Sequence, residues 1–164
     1  MGNDPRSCQQ DQETRIRENC FTTQATIGIT QTQLARDGVY RIALRYQKDI
    51  ILVETAYPFT LENDDATQNI FPSSGIDAFP ALPVDGYPAT PEGQKKMLAD
   101  ILSVIRAVPE NRGIGFFWWD AAWTAVEGNG WDTADPTLGN NWENQALFDF
   151  NDCPLPAMDL FKEA

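Results

Sequence analysis

Two carboxylates directly follow apolar runs of the sequence, and they are the side chains best suited to chemistry. Glu54 follows the run Ile50–Val53, and Asp120 follows the run Gly113–Trp119. An ionised carboxylate is costly to bury without a partner, so its position after an apolar run requires a reason. Glu54 is either held by a structural salt bridge or hydrogen bond, or it belongs to a carboxylate pair that cleaves a glycosidic bond.

Tryptophan is concentrated around the second carboxylate. The sequence places every Trp between 118 and 142, at Trp118, Trp119, Trp123, Trp131 and Trp142. Flat aromatic faces suit the CH-rich faces of sugar rings. Because side chains alternate along a strand, one of Trp118 and Trp119 is expected to face the helices and the other the opposite side. The remaining three lie in a polar loop, where a role in the core is less expected.

The elements that would position these residues alternate between helix and strand. Unbroken apolar runs predict strands buried on both faces, and apolar stripes of helical period predict helices. Thr90 can cap a helix in which Pro91 takes the first position. The predicted order is a helix at 34–46, a strand at 50–53, a helix at 91–108, a strand at 113–119 and a short helix at 156–162.

This order is typical of α/β proteins in which helices connect parallel strands. In such sheets the functional residues gather at the carboxyl ends of the strands, where Glu54 and Asp120 stand. Each strand is followed by a long polar and aromatic loop, roughly 56–89 and 121–143. Loops of that length are usually functional or disordered, and their aromatic content favours function.

The charge of the chain excludes several classes of partner. Its 164 residues include 24 acidic and 12 basic side chains and no His. Such a surface repels nucleic-acid phosphates and anionic lipid headgroups but not a neutral substrate. We therefore expect no nucleic acid and no membrane as partner. The absence of His also argues against a zinc site and excludes a Ser-His-Asp triad.

Two segments carry little functional signal. Residues 1–33 are polar, without a sustained apolar period, a signal peptide or expected order. The segment 62–69 offers carboxylate and amide oxygens but lacks the glycine spacing of an EF-hand loop. A solvated acidic loop is the better interpretation of it. We therefore expect no metal and no cofactor, with calcium only weakly supported.

Four segments carry a family resemblance, and all lie beyond residue 33. They read VETAYPFT at 53–60, YPATPEGQ at 87–94, GIGFFWWDAAW at 113–123 and WENQALFDF at 142–150. The first three resemble, in this order, the seventh strand, the start of the seventh helix and the eighth strand with its exit in glycoside hydrolase family 53, the arabinogalactan endo-β-1,4-galactanases. The fourth continues the likeness. We therefore treat 1–33 as a leader without resemblance and 34–164 as the family segment.

The resemblance implies an α/β fold, the C-terminal part of a TIM (β/α)8 barrel, incomplete and holding about the last two strands and their helices. It implies that Glu54 is the nucleophile of a retaining hydrolase of β-1,4-galactan or arabinogalactan. Trp119, Trp123 and Asp120 would bind the substrate. The family acts outside the cell.

The chain departs from the family at two places. Asp120 stands where the family usually has Glu, and Ala121 where it has Pro. Thr67 stands near the position of a His in relatives that bind calcium, with Asp65 and Asn69 as the remaining candidate ligands.

The family's acid/base Glu, which belongs to the fourth strand, has no counterpart in this chain. Glu13 and Glu18 lie in polar sequence and are poor candidates. We therefore expect the chain to be inactive by itself, since a retaining site needs two carboxyl groups. The alternatives are a carbohydrate-binding remnant without catalysis and a non-functional barrel fragment.

Overall fold

The computed structural model describes residues 32–71, 83–128, 130, 132–135 and 137–162. The predicted leader up to residue 31, and Trp131, lie outside the described residues. The helices are α1 (Thr32–Tyr46) and α2 (Pro91–Arg106), and the strands are β1 (Ile50–Thr55) and β2 (Gly113–Trp118). Three short 3₁₀ segments complete the described structure, at Pro109–Asn111, Glu143–Gln145 and Pro156–Lys162.

The two strands form a parallel pair, which confirms the predicted α/β arrangement. Ile50 pairs with Gly113 and Thr55 with Trp118. The backbone N–H of Trp119 donates to the Thr55 carbonyl over 2.8 Å and extends the pairing by one residue. Parallel neighbours need a long crossover connection, and α2 lies within it. The carboxyl ends of both strands therefore meet at one edge of the sheet.

Helix α2 begins where the sequence predicts it. The Thr90 hydroxyl accepts a hydrogen bond from the Gly93 N–H at 3.1 Å, and Pro91 occupies the first turn. This cap satisfies one of the N–H groups that have no partner within the helix. The helix ends at Arg106, slightly earlier than the apolar stripe predicts.

The core lies between α2, the sheet and the C-terminal segment. Leu98 and Leu102 of α2 are buried together with Leu147 and Ala157, and Trp118 packs against this cluster. The Trp118 indole N–H donates to the Gln145 carbonyl at 2.9 Å, which satisfies its polar atom. Burial of each large apolar side chain contributes about 1.5–3 kcal/mol.

The opposite face of the sheet is open among the described residues. Phe117 and Trp119, on either side of the partly buried Trp118 in sequence, are 59% and 44% exposed. Trp118 and Trp119 thus lie on opposite sides, as the alternation along a strand predicts.

Within the described part of the chain, none of the helices combines the length and apolarity that a bilayer crossing requires.

Candidate active site

Glu54 is the penultimate residue of β1 and stands at the carboxyl end of the strand. The following residue, Thr55, is buried at 1% exposure and pairs with Trp118, and the register of the two strands is irregular between Leu52 and Thr55. The Glu54 side chain is partly exposed. No ion pair between described residues includes Glu54. The structural salt bridge considered from sequence is therefore not found among the described residues.

Asp120 lies just beyond β2 in a tight turn. Its φ of 55° is left-handed, a conformation that Asp tolerates better than most residues. Its carbonyl accepts a hydrogen bond from the Trp123 N–H at 3.1 Å, which closes the turn. One carboxyl oxygen, Oδ2, is buried without a hydrogen-bond partner among the described residues. It can therefore still accept a proton or a donor.

The two carboxyl groups are brought together, as the meeting of strand ends predicts. Burial raises the pKa of Asp120, and the negative charge of Glu54 raises it further. A like charge acts in this way only at short range, because solvent and salt screen more distant pairs.

The tryptophans fall into different environments. Trp119 is exposed just beyond the end of β2, whereas Trp123 is half-buried in the turn that holds Asp120. The Trp123 carbonyl accepts a hydrogen bond from the Asn140 side chain at 2.7 Å, which fixes the loop at that point. Trp142 packs edge-on against Phe71 with ring centroids 6.2 Å apart. Its contact is therefore with the loop after β1, not with the strand ends.

An open cavity lies between the two loops that follow the strands. It has a volume of about 570 Å³ and is lined by 64–67 of the first loop and 125–128, Thr137 and Gly139 of the second. Three acidic side chains contribute to its walls: Asp64, Asp65 and Glu127. A cavity of this size can hold a small ligand.

Glu143 is the residue that sequence reasoning missed. It is only 1% exposed, and its carboxylate accepts hydrogen bonds from the loop after β1, including one from the Asp64 N–H at 2.6 Å. Asn69, which also donates to Glu143, is completely buried, so the solvated interpretation of 62–69 is wrong at this residue. No local pattern marks either residue, because their partners are distant in sequence.

The residues suggested for calcium already accept protein donors. Asp65 accepts through Oδ1 from the Thr67 N–H at 2.6 Å and through Oδ2 from the Asn140 N–H at 2.7 Å. The Asn69 side chain directs its NH₂ group, which cannot ligate a cation, at the surrounding oxygens. No group of three or more His, Cys, Asp or Glu side chains in the described ranges is placed to hold a metal. With both Asp65 oxygens engaged and the Asn69 nitrogen directed inward, these two residues do not present the free oxygens that calcium prefers.

Comparison with known proteins gives one consistent family. The model of glycosyl hydrolase family 53 matches residues 29–161. The chain is 32% identical over 149 residues to the endo-beta-1,4-galactanase of Bacillus subtilis, covering 75% of this chain and 33% of that protein. It is 30% identical over 131 residues to an arabinogalactan endo-beta-1,4-galactanase of Cellvibrio japonicus, covering 77% and 30% respectively.

A solved structure agrees with these sequence matches. The GH53 catalytic domain of Ignisphaera aggregans superposes with a TM-score of 0.72 at 32% identity, over 87% of this chain and 37% of that domain. The chain thus spans about a third of the length of the relatives it matches. This partial coverage fits a C-terminal portion of the family domain.

Proposed function

This chain belongs to glycosyl hydrolase family 53, and we propose that it carries the nucleophile of a retaining arabinogalactan endo-β-1,4-galactanase. The observation that carries this proposal is the position of Glu54. Its partly exposed side chain stands at the carboxyl end of β1, its charge acts on Asp120 of the neighbouring strand end, and no ion pair between described residues engages it. In this proposal β1 and β2 are the seventh and eighth strands of a TIM barrel.

The reaction needs two carboxyl groups in different roles. Glu54 attacks the anomeric carbon as the bond to the leaving sugar breaks, and a galactosyl ester forms on its oxygen. A second carboxyl, about 5 Å away in retaining enzymes, donates a proton to the leaving oxygen. It then removes a proton from the water that hydrolyses the ester. We assign this acid/base role to the part of the barrel that the chain does not match.

The aromatic and acidic residues around Glu54 are proposed to bind β-1,4-galactan or arabinogalactan. Trp119 presents an exposed ring on which a sugar face can stack, and Trp123 borders the same turn. The partly exposed Asp120 side chain can accept a hydrogen bond from a sugar hydroxyl. A neutral polysaccharide suits this acidic chain, and the chemistry requires no cofactor. We also propose an extracellular location, because the chain belongs to a family that acts outside the cell.

The test labels Glu54 directly. An activated 2-deoxy-2-fluoro-β-galactobioside with a dinitrophenolate leaving group needs no proton donor, so the missing acid/base carboxyl does not prevent ester formation. We expect the peptide containing Glu54 to gain the mass of the fluorinated disaccharide. Glu54→Gln should abolish the label, and Glu92→Gln, an exposed acid at the start of α2, should retain it. Labelling at another carboxylate would refute the assignment.

A second experiment measures activity on the polymer. The 164-residue chain alone should release no reducing ends from galactan, because a positioned proton donor typically contributes about 10²- to 10⁴-fold in rate. Steady release by the chain alone would contradict the assignment of the acid/base group outside it.

A carbohydrate-binding role without turnover is the second candidate. The exposed Trp119 ring and the cavity of about 570 Å³ between the loops favour it. Retention of galactan that is weakened by Trp123→Ala, with no label on Glu54, would identify this role.

A further inference from the structure

The buried carboxyl of Glu143 joins two loops that are far apart in sequence. Its Oε1 accepts hydrogen bonds from the backbone N–H groups of Asp64 at 2.6 Å and Asp65 at 3.4 Å. It also accepts one from the side-chain NH₂ of Asn69 at 3.2 Å. All three donors belong to the loop after β1, whereas Glu143 ends the loop after β2. A single oxygen, Oε1 of Glu143, therefore joins the two loops that line the cavity.

Asn69 is the centre of this junction. Its side-chain nitrogen lies within hydrogen-bond distance of three oxygens, those of Glu143 at 3.2 Å, Asn63 at 3.0 Å and the Glu62 carbonyl at 3.1 Å. The opposite orientation of the amide would direct its oxygen at three acceptors, which is repulsive. Oxygen-lined loops commonly place a cation at such a centre. Here a neutral NH₂ group takes that place.

Further hydrogen bonds tie the same two loops. The buried Asn144 side chain donates to the Thr60 carbonyl at 2.9 Å and to the Phe71 carbonyl at 2.6 Å. Asp65 accepts from the Asn140 N–H at 2.7 Å. These bonds reach from Thr60 to Phe71 in the first loop, so Glu143 and Asn69 lie within a network and not at an isolated contact.

We propose that Glu143 and Asn69 form a metal-independent clamp that positions the loop after β1 against the loop after β2. The clamp shapes the cavity between these loops. Glu143 and Asn69 are thus positioning residues and do not touch the reacting atoms. Their effect on hydrolysis depends on the function proposed above, but the clamp itself does not.

Hydrogen–deuterium exchange measured by mass spectrometry tests the clamp in the intact protein. Glu143→Ala removes three acceptor contacts, so we expect exchange in 61–71 to accelerate about tenfold or more. Exchange in α2 should stay unchanged. Glu143→Gln keeps an acceptor oxygen at the same place and should retain most of the protection, which a role based only on charge would not predict. Glu127→Ala, an exposed acid of the same loop, is the matched control.

The role of metal is tested on the same peptides. Neither EDTA nor added calcium should change exchange in 61–71. Slower exchange with calcium, or faster exchange with EDTA, would overturn the metal-independent clamp. Unchanged exchange in Glu143→Ala would overturn it as well. If Glu143→Ala does not fold, Asn69→Ala provides the same test. A chain that keeps the clamp but takes no label on Glu54 would contradict the proposed function alone.

Discussion

The carboxyl groups of Glu54 and Asp120 end neighbouring parallel strands, and the charge of Glu54 raises the pKa of Asp120. Burial raises the same pKa and is the larger cause. Two carboxyl groups in one cleft with different environments are typical of sites that separate the roles of acid and base. The proposed function gives the acid/base role to another strand, and in that proposal Asp120 binds the substrate.

The first prediction concerns this pair. Glu54→Gln removes a negative charge while preserving the shape of the side chain, so the pKa of Asp120 should fall. It should remain above its ordinary value, because burial is unchanged. Carbon-13 NMR of the side-chain carboxyls measures the titration, with Asp149 as the internal reference. The backbone N–H groups of Cys153 and Asn151 donate to the Asp149 carboxylate and lower its pKa, which should not respond to the substitution. If the pKa of Asp120 is the same in Glu54→Gln and in wild type, the two groups do not interact.

The second prediction compares two helical glycines. A methyl group at Gly93 would collide with the Pro88 carbonyl oxygen, so Gly93→Ala should destabilise the protein by about 1–3 kcal/mol. At Gly38 of α1 no atom lies within 4 Å of the added carbon, and Gly38→Ala should stabilise by about 0.5–1 kcal/mol. Urea unfolding measures both changes. Equal effects of the same sign would contradict the packing of Pro88 against α2.

The start of α2 shows what the sequence can predict. Thr90 and Pro91 act within one turn of the chain, so their types and spacing contain the information for the cap. Glu54 can also be identified from the sequence, because an apolar run that ends in a carboxylate is recognisable without knowing which strands pair with it. Parallel pairing then places Asp120 beside it, since both residues follow strands of one sheet.

The clamp shows what the sequence cannot predict. Asn69 and Glu143 are 74 residues apart, and each stands in a segment of polar composition. Polar residues are usually exposed, so the pattern predicts a solvated loop for Asn69. Its burial results from partners that only the folded chain brings into contact, namely the Glu62 carbonyl, Asn63 and Glu143.

The third prediction concerns the dependence of stability on pH. Burial raises the pKa of Glu143 above its ordinary value of 4.5, and the charges of Asp65 and Asp64 raise it further, against the hydrogen bonds from their backbones. A raised folded-state pKa means that the folded protein binds the proton more tightly than the unfolded chain. The contribution of Glu143 to stability is therefore greatest below pH 4.5 and declines as pH rises through its folded-state pKa.

Glu143→Gln should remove this decline. Relative to wild type, the free energy of unfolding of Glu143→Gln should therefore increase from pH 4 to pH 7. Urea unfolding at each pH measures this difference. Glu127→Gln, which changes an exposed acid of the same loop, should show little dependence on pH. A difference that moves in favour of wild type with rising pH would mean that the buried carboxylate is stabilised overall by its three donors.

The last prediction separates the two adjacent tryptophans. Trp118 packs against Leu98 and Leu147 and donates its indole N–H to the Gln145 carbonyl, so Trp118→Ala should cost about 3–5 kcal/mol of stability. Trp119 is 44% exposed on the opposite face, and Trp119→Ala should change stability far less. If Trp119 stacks on a sugar ring, its loss should weaken retention in galactan-containing native gels, whereas Trp119→Phe should preserve part of it. Ile114→Ala, which trims another exposed side chain of the same strand, is the control and should leave retention unchanged. Equal retention of wild type and Trp119→Ala would remove Trp119 from the substrate site and leave Trp123 as the aromatic candidate.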